Sequence, residues 1–565
     1  MKFRLYFIWL FFVFFEVSLF SQEDDFVRGA LVDAITDEPI AFATIRLKSK
    51  AIGIISNQDG GFRIPERFKD LGEILMISCL GYETKELRFA NLSLNTYNTI
   101  RLKPKPLELR ETVLLAKRKK PPSPRKIIKR AIERIPQNYP FEPFFYVGYY
   151  RDYQLKEKKY LNLNEALLSV IDMGFQKNDF EHTVVQIYDY KPNLDFKRDS
   201  IADNPYDYST KKKVIQNAFL HRFGGNEFNI LRIHDPIRNY DINTFSFVNT
   251  LDKDLLRNHR FFREGDSELD GERMYVVSLE NIQPYNDGDS SYQNDRKVDF
   301  KSVYQLDDPI DFEDNLVFKA EGTFYISQST YAIHKLDYKL YKSNEGKVGN
   351  SKIGKTDNLI FEISLEYRSI EGNMYLNYIS FHNVFKLSKS YFQVKEVILD
   401  LDQKCFEIRV NKPPIFLANS GEPNIKLKYR NRKISLKKII NTENGILVYP
   451  EENNFEKIAS DYEEIVGNRG ANSETFQLFM EDFFEFEFFN IQDSEGNLLN
   501  DFVFEDYHQF REFFTQQLIK DSLSIPPFEA IMKKNRPIFE NQPTIRSKEF
   551  QDFWMNTPLK KIPKE

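Results

Sequence analysis

Residues Gly349 to Thr356, "GNSKIGKT", fit the pattern G-x-x-x-x-G-K-[ST] letter for letter. In a working phosphate loop the backbone N–H groups cradle phosphates, the lysine reaches the terminal phosphates and the hydroxyl holds Mg²⁺. That chemistry needs a buried apolar strand before the loop and a helix after it. Here the polar "YKSNEGKV" precedes the motif and "TDNLIFEISLEYR" alternates like a strand. A hairpin loop with no nucleotide is therefore expected. None of the seven histidines (182, 221, 234, 259, 334, 382, 508) has a Glu three residues on, and H-E-x-x-H is absent, so a zinc peptidase site is not predicted. Asn57, Asp59, Gly60 and Glu66 match positions of a calcium loop, but Ile55 offers no oxygen at its first position and Pro65 and flanking strands exclude the helices. A turn is predicted there. Asp287, Asp289 and Asp295 read as an exposed acidic loop. G-x-S-x-G, G-x-G-x-x-G and C-x-x-C are absent. Acids are plentiful, but no spacing singles out a pair. No catalytic, cofactor or metal residue is assigned, and the chain is read as non-enzymatic.

The elements around these residues are β-rich. The 565 residues hold 52 Phe and 30 Tyr, giving 15% aromatic content, while mean hydropathy stays at −0.51. Aromatics interleaved with charges suit half-buried strands. A net charge of −5 argues against a nucleic-acid partner. Residues 1–21 have basic Lys2 and Arg4, an apolar run from Leu5 to Phe15 and Ser21 at the end, the order of a cleaved signal peptide. Export to the periplasm or the periphery of the outer membrane follows. Cys79 and Cys405 make no disulfide framework, and whether they pair stays open.

Residues 22–104 read as short strands at close spacing, "FVRGALVD", "AFATIRLK", "GIISN", "GFRIP", "EILMISCLGY", "ETKELRF" and "NTIRLK", a small antiparallel sandwich. The segments "GALVDAITDEPIAFATI", "GIISNQDGGF" and "ISCLGYET" resemble the carboxypeptidase-regulatory-like domain. The resemblance implies a transthyretin-like accessory sandwich with no peptidase activity. "LELRETVLLAK" and "AIERIPQNYPFEPFFYVGYYRDY" are similar to segments of uncharacterised Bacteroidota envelope proteins.

Residues 105–145 read as a basic Pro-rich linker and a short amphipathic helix, with Ser123 as N-cap, Pro124 at its first position, and Ile127, Ile128, Ala131, Ile132 and Ile135 on one face. The basic stretch 117–130 reads as a solvated linker, with contact with an anionic membrane surface as the alternative. Residues 146–425 read as a large antiparallel β domain with one wet face. In it, Leu359, Phe361, Ile363, Leu365 and Tyr367 oppose Glu362, Ser364, Glu366 and Arg368. "GTFYISQSTYAIHKLDYKLY" is similar to a strand pair of lipoprotein-carrier-like half-barrels. Residues 426–565 read as mixed, with helical patterns including "DYHQFREFFTQQLIKDS". The expected role is binding of an outer-membrane or periplasmic protein, or of an apolar or lipid ligand. The alternative is a secreted hydrolase whose site spacing does not reveal.

Overall fold

The computed structural model describes residues 26–49, 52–69, 72–105, 122–200, 202–203, 226–242, 251–282, 285–286, 317–343, 359–389, 391–417, 424–443, 445–469, 476, 479–480, 482–501, 503–519, 525–545 and 552–559. The phosphate-loop-like run 349–356, the acidic loop 287–295 and the leader 1–21 lie outside them. The fold is mainly β.

The first strands are β1 (Phe26–Asp33), β2 (Thr44–Leu47), β3 (Gly53–Ile55), β4 (Gly61–Pro65), β5 (Ile74–Ser78), β6 (Lys85–Arg88) and β7 (Asn98–Leu102). They form two small sheets, β4-β1-β7 and β3-β2-β5-β6, around a core that includes Leu31, Ile45, Ile54, Phe62 and Ile77. The expected antiparallel arrangement is corrected at one place: β1 and β7 run parallel. Five strands intervene between them in sequence, so a tight turn does not dictate their direction.

A large antiparallel sheet follows. Its strands are β8 (Phe144–Lys156), β9 (Lys159–Asp172), β10 (Val184–Pro192), β11 (His259–Leu269), β12 (Glu272–Asn281), β13 (Tyr285–Asn286), β14 (Val317–Ser327), β15 (Ile333–Ser343), β16 (Leu359–Ile370) and β17 (Asn373–Lys389), completed by β27 (Val503–Ile519). Among the described residues the order is β10-β9-β8-β27-β17-β16-β15-β14-β12-β11, with β13 beside β14. Glu371 and Gly372, both at positive φ, make the tight turn from β16 to β17. The β10 edge is covered, since Met532 N–H donates to Val185 O and Ile545 N–H to Ile187 O, each at 2.8 Å. That removes free edge groups.

Helices cover one face of this sheet. They are α1 (Pro124–Glu133), α2 (Ile135–Asn138), α3 (Asp179–His182), α4 (Glu227–Ile233) and α5 (Leu255–Asn258). Ser123 sits at the N-cap of α1 with Pro124 behind it, though its side chain makes no capping bond. Ile127, Ile128, Ala131, Ile132 and Ile135 join Leu336, Phe361, Ile363 and Leu365 in one core. The small sheets cover the other face, where Phe145, Val147, Tyr149, Tyr378 and Phe514 join the core of the N-terminal strands. The expectation of a wet face is thus corrected: Ser364, Glu366 and Asn377 are buried. Asn377 donates to Thr44 Oγ1 at 2.9 Å and to Glu366 Oε1 at 2.8 Å, so polar side chains on that face are satisfied by protein instead of water.

The chain divides into two compact units, residues 1–385 with 507–565, and residues 386–506. The expected break at 425/426 does not match either junction. β27 is the reason: this helix-like stretch is a strand between β8 and β17, so the chain returns to the large sheet after the second unit. The second unit contains β18 (Val394–Asp400), β19 (Cys405–Val410), β20 (Ile415–Phe416), β21 (Ile425–Tyr429), β22 (Arg432–Lys433), β23 (Leu436–Thr442), β24 (Gly445–Pro450), α6 (Glu452–Arg469), β25 (Phe484–Phe488) and β26 (Ile491–Gln492). Phe484, Phe486 and Phe488 pack against its core, while Glu485 and Glu487 pair with Lys428 at 3.1 and 2.6 Å. Both cysteines are free thiols.

Candidate functional site

On the helix-covered face, a small cavity of ≈ 20 Å³ is lined by Phe144, Tyr146, Phe175 and Tyr367 together with Asp172, Asp179, Arg232, Asp235 and Arg238. This volume suits about one water molecule. Asp172 ends β9, Asp179 begins α3, Arg232 lies in α4, and Asp235 and Arg238 lie in the turn after it. Arg238 grips Asp172 with two bonds, Nε to Oδ2 at 2.9 Å and Nη2 to Oδ1 at 2.8 Å. Its Nη2 also donates to Gly174 O at 2.9 Å. Such a fork is the strong geometry for a guanidinium and a carboxylate. Arg232 pairs with Asp179. Burial works to raise the Asp179 carboxyl, but the charges of Arg232 and Arg238 prevail and hold it below its usual value.

Asp235 behaves differently. Its Oδ1 accepts from the N–H groups of Ile237 and Arg238 at 2.9 and 3.0 Å, and its Oδ2 accepts from Tyr367 Oη at 2.6 Å. Burial outweighs these bonds and pushes its carboxyl up to about 6. His234 beside it is buried against Phe381, with ring centroids 3.9 Å apart, and burial lowers it to about 3. That imidazole is neutral at physiological pH.

A second polar cluster lies on the face covered by the small sheets. Arg151 of β8 and Glu512 of β27 stand opposite each other in register, with side chains only 1% exposed. Arg151 Nε donates to Glu512 Oε2 at 2.6 Å and Tyr153 Oη to Glu512 Oε1 at 2.8 Å. Burial would lower the guanidinium's pKa, yet Glu512 holds it above its ordinary value. Arg151 also donates to Asn57 Oδ1. Glu165 of β9 accepts from Tyr149 Oη at 2.5 Å, from Asn193 Nδ2 at 3.0 Å and from Thr557 Oγ1 at 3.0 Å.

Residues Phe553 to Leu559 close this cluster. Arg63 Nε donates to Met555 O at 2.6 Å, Asn556 Nδ2 to Ile55 O at 2.6 Å, Trp554 Nε1 to Arg63 O at 2.8 Å and Gln516 Nε2 to Trp554 O at 2.8 Å. Asn57 Nδ2 reaches Pro558 O. This tail segment therefore ties the turn after β3 to the large sheet. The expected turn at 57–61 is present: Gly60 N–H donates to Asn57 O at 2.8 Å and Asn57 N–H to Gly61 O at 2.7 Å, with Gly60 at φ 75°. Asn57 has a second use that spacing did not reveal, as a buried link between three segments. Arg151, inside "YYRDY", carried the available signal: a charge amid aromatics in mid-strand must be paired if buried.

Two further polar groups involve strands of the large sheet. Asp152, beside Glu227, is raised to about 7, first by burial and then by that neighbour's charge. It accepts from Asn164 Nδ2 at 2.8 Å and Tyr150 Oη at 3.2 Å. His382 and His508 face each other at 2.9 Å. Among the described residues no group of three His, Cys, Asp or Glu side chains is arranged to hold a metal ion.

Comparison with known proteins bears on the first module. Residues 27–114 match the CarboxypepD_reg-like domain family, so the two small sheets are a domain of that kind. No curated protein matches the chain. A solved structure of a DUF1329 family protein from Desulfovibrio piger aligns at 9% identity and a TM-score of 0.17, covering 46% of this chain and 87% of that one.

Proposed function

We propose that this chain is a non-enzymatic binding or assembly protein of the cell envelope, periplasmic or peripheral to the outer membrane, that recognises a protein partner. The observation that carries the reading is how the buried charges are used. Asp172, Asp179 and Asp235 are bonded to Arg238, Arg232 and Tyr367, and Glu512 to Arg151 and Tyr153. Groups committed to one another in this way hold layers together, and these four acids are engaged by protein partners. A protein partner is favoured because the second unit presents an apolar surface. Ile415 pairs with Gln492, which bridges to Leu498, placing these side chains on one face of a short three-stranded ribbon. Ile415, Leu417 and Leu498 are 43%, 37% and 42% exposed.

The test is native mass spectrometry of residues 22–565 purified from the native envelope, beside an Ile415→Ser, Leu498→Ser variant. A stoichiometric protein partner that disappears with the variant supports the reading. A bare monomer in both overturns it, and a lipid-sized mass redirects it to an apolar ligand. The hydrolase alternative draws on Asp152, whose raised carboxyl lies in the range a general acid needs. A hydrolytic activity abolished by Asp152→Asn, with folding retained, would establish it.

A further inference from the structure

α1 has two faces with opposite fates. Ile127, Ile128, Ala131 and Ile132 are buried in the core of the large sheet. Arg125, Lys126, Lys129, Arg130 and the C-cap residue Arg134 are exposed, and the helix carries one acid, Glu133. That acid is 3.8 Å from Lys129. Two of the cations are braced on neighbouring elements: Arg125 Nη1 donates to Leu256 O at 2.5 Å, and Arg130 Nη1 to Tyr331 Oη at 2.9 Å. Arg130 also lies over the Tyr331 ring at 5.4 Å. These contacts hold the basic face in place on the folded body. The chain as a whole has a formal charge of −5, so this face is opposite in sign to the net charge.

A helix that enters a membrane interface does so with its apolar face. In α1 that face is already packed against the sheet, so the helix has only charge to offer a membrane. We infer that the exposed basic face of α1 docks the folded protein on anionic lipid headgroups by electrostatic attraction alone, without insertion. The inference rests on the envelope location proposed above and names the membrane partner that location supplies. The two readings use different residues, α1 in the first unit and Ile415 in the second, so vesicle binding and partner capture are tested by different variants.

Each Lys or Arg held near an anionic membrane surface contributes roughly five-fold in affinity. The screening length is about 8 Å at physiological salt, so the attraction falls as salt is raised. The test is co-sedimentation of residues 22–565 with vesicles of phosphatidylcholine, with or without phosphatidylglycerol, over a salt series, with an encapsulated dye to detect insertion. The expected result is binding to anionic vesicles only, release by high salt and no dye leakage. Lys126→Gln, Lys129→Gln, Arg134→Gln, checked for an unchanged thermal midpoint, should weaken it by about a hundred-fold. Equal binding to neutral vesicles, leakage, no binding at low salt, or an unaffected triple variant would each overturn it.

Discussion

The two faces of the large sheet bury charges in different ways. On the helix-covered face the ionic groups border a cavity, and the Arg238–Asp172 pair is 7% and 5% exposed at its side chains. On the other face Arg151 and Glu512 are both 1% exposed, and their network takes in Asn57 and the tail around Thr557. The first cluster joins the end of β9 to the turns around α3 and α4. The second joins the N-terminal domain, the central strands and the C-terminal tail. The deeper cluster is therefore the one between segments far apart in sequence, where a fully paired network also defines which strand lies opposite which.

Breaking that network should have the largest effect. Arg151→Met strands Glu512 in the interior, and urea unfolding should show a loss at the upper end of about 3–5 kcal/mol. Combining it with Glu512→Leu should recover most of that loss, because two apolar groups leave no orphaned charge. Arg238→Met should cost less, near the lower end of about 3–5 kcal/mol, because Asp172 borders a cavity with room for a water molecule. If the two single variants cost the same, the distinction between the faces fails. Asn57→Ala removes bonds to Arg151 and Pro558 and should cost about 1–3 kcal/mol. Hydrogen exchange should rise in residues 553–559 and remain unchanged in β16.

The smallest effect concerns pH. Asp235 has its carboxyl raised from 3.8 to about 6, chiefly by burial, so the folded state favours the protonated form. Its contribution to stability is complete below 3.8 and is lost as pH rises through about 6. Asp235→Asn stays neutral and removes that slope: its oxygen still accepts from the N–H groups of Ile237 and Arg238, and its amide N–H donates to Tyr367 Oη. Denaturation midpoints across this interval should fall less steeply with rising pH in the variant. An unchanged slope would show that Asp235 is solvated.

Much of the β architecture was legible from local pattern. Strands β1 and β4 coincide with "FVRGALVD" and "GFRIP". The α1 face of Ile127, Ile128, Ala131 and Ile132 is buried as its spacing implied. β27 shows where this reading stops. Its Gln, Arg, Glu and Leu residues favour helices, and its two faces are both covered, with Phe513 in one core and Phe514 in the other. A strand buried on both sides loses the alternation that identifies it. Ser364 and Glu366 misled for a related reason: polar residues read as solvated until another layer satisfies them.

The order of apolar and polar residues along the chain was enough to define the N-terminal domain, the long hairpins and the docked side of α1, because these depend on neighbours close in sequence. Only the tertiary structure decided that β27 joins β8 and β17, that residues 553–559 close the network around Asn57, and that Arg151 meets Glu512. Those partners are separated in sequence by more than a hundred residues, with Arg151 and Glu512 361 positions apart. Local periodicity carries no information about which distant strand will supply a buried charge with its counter-ion.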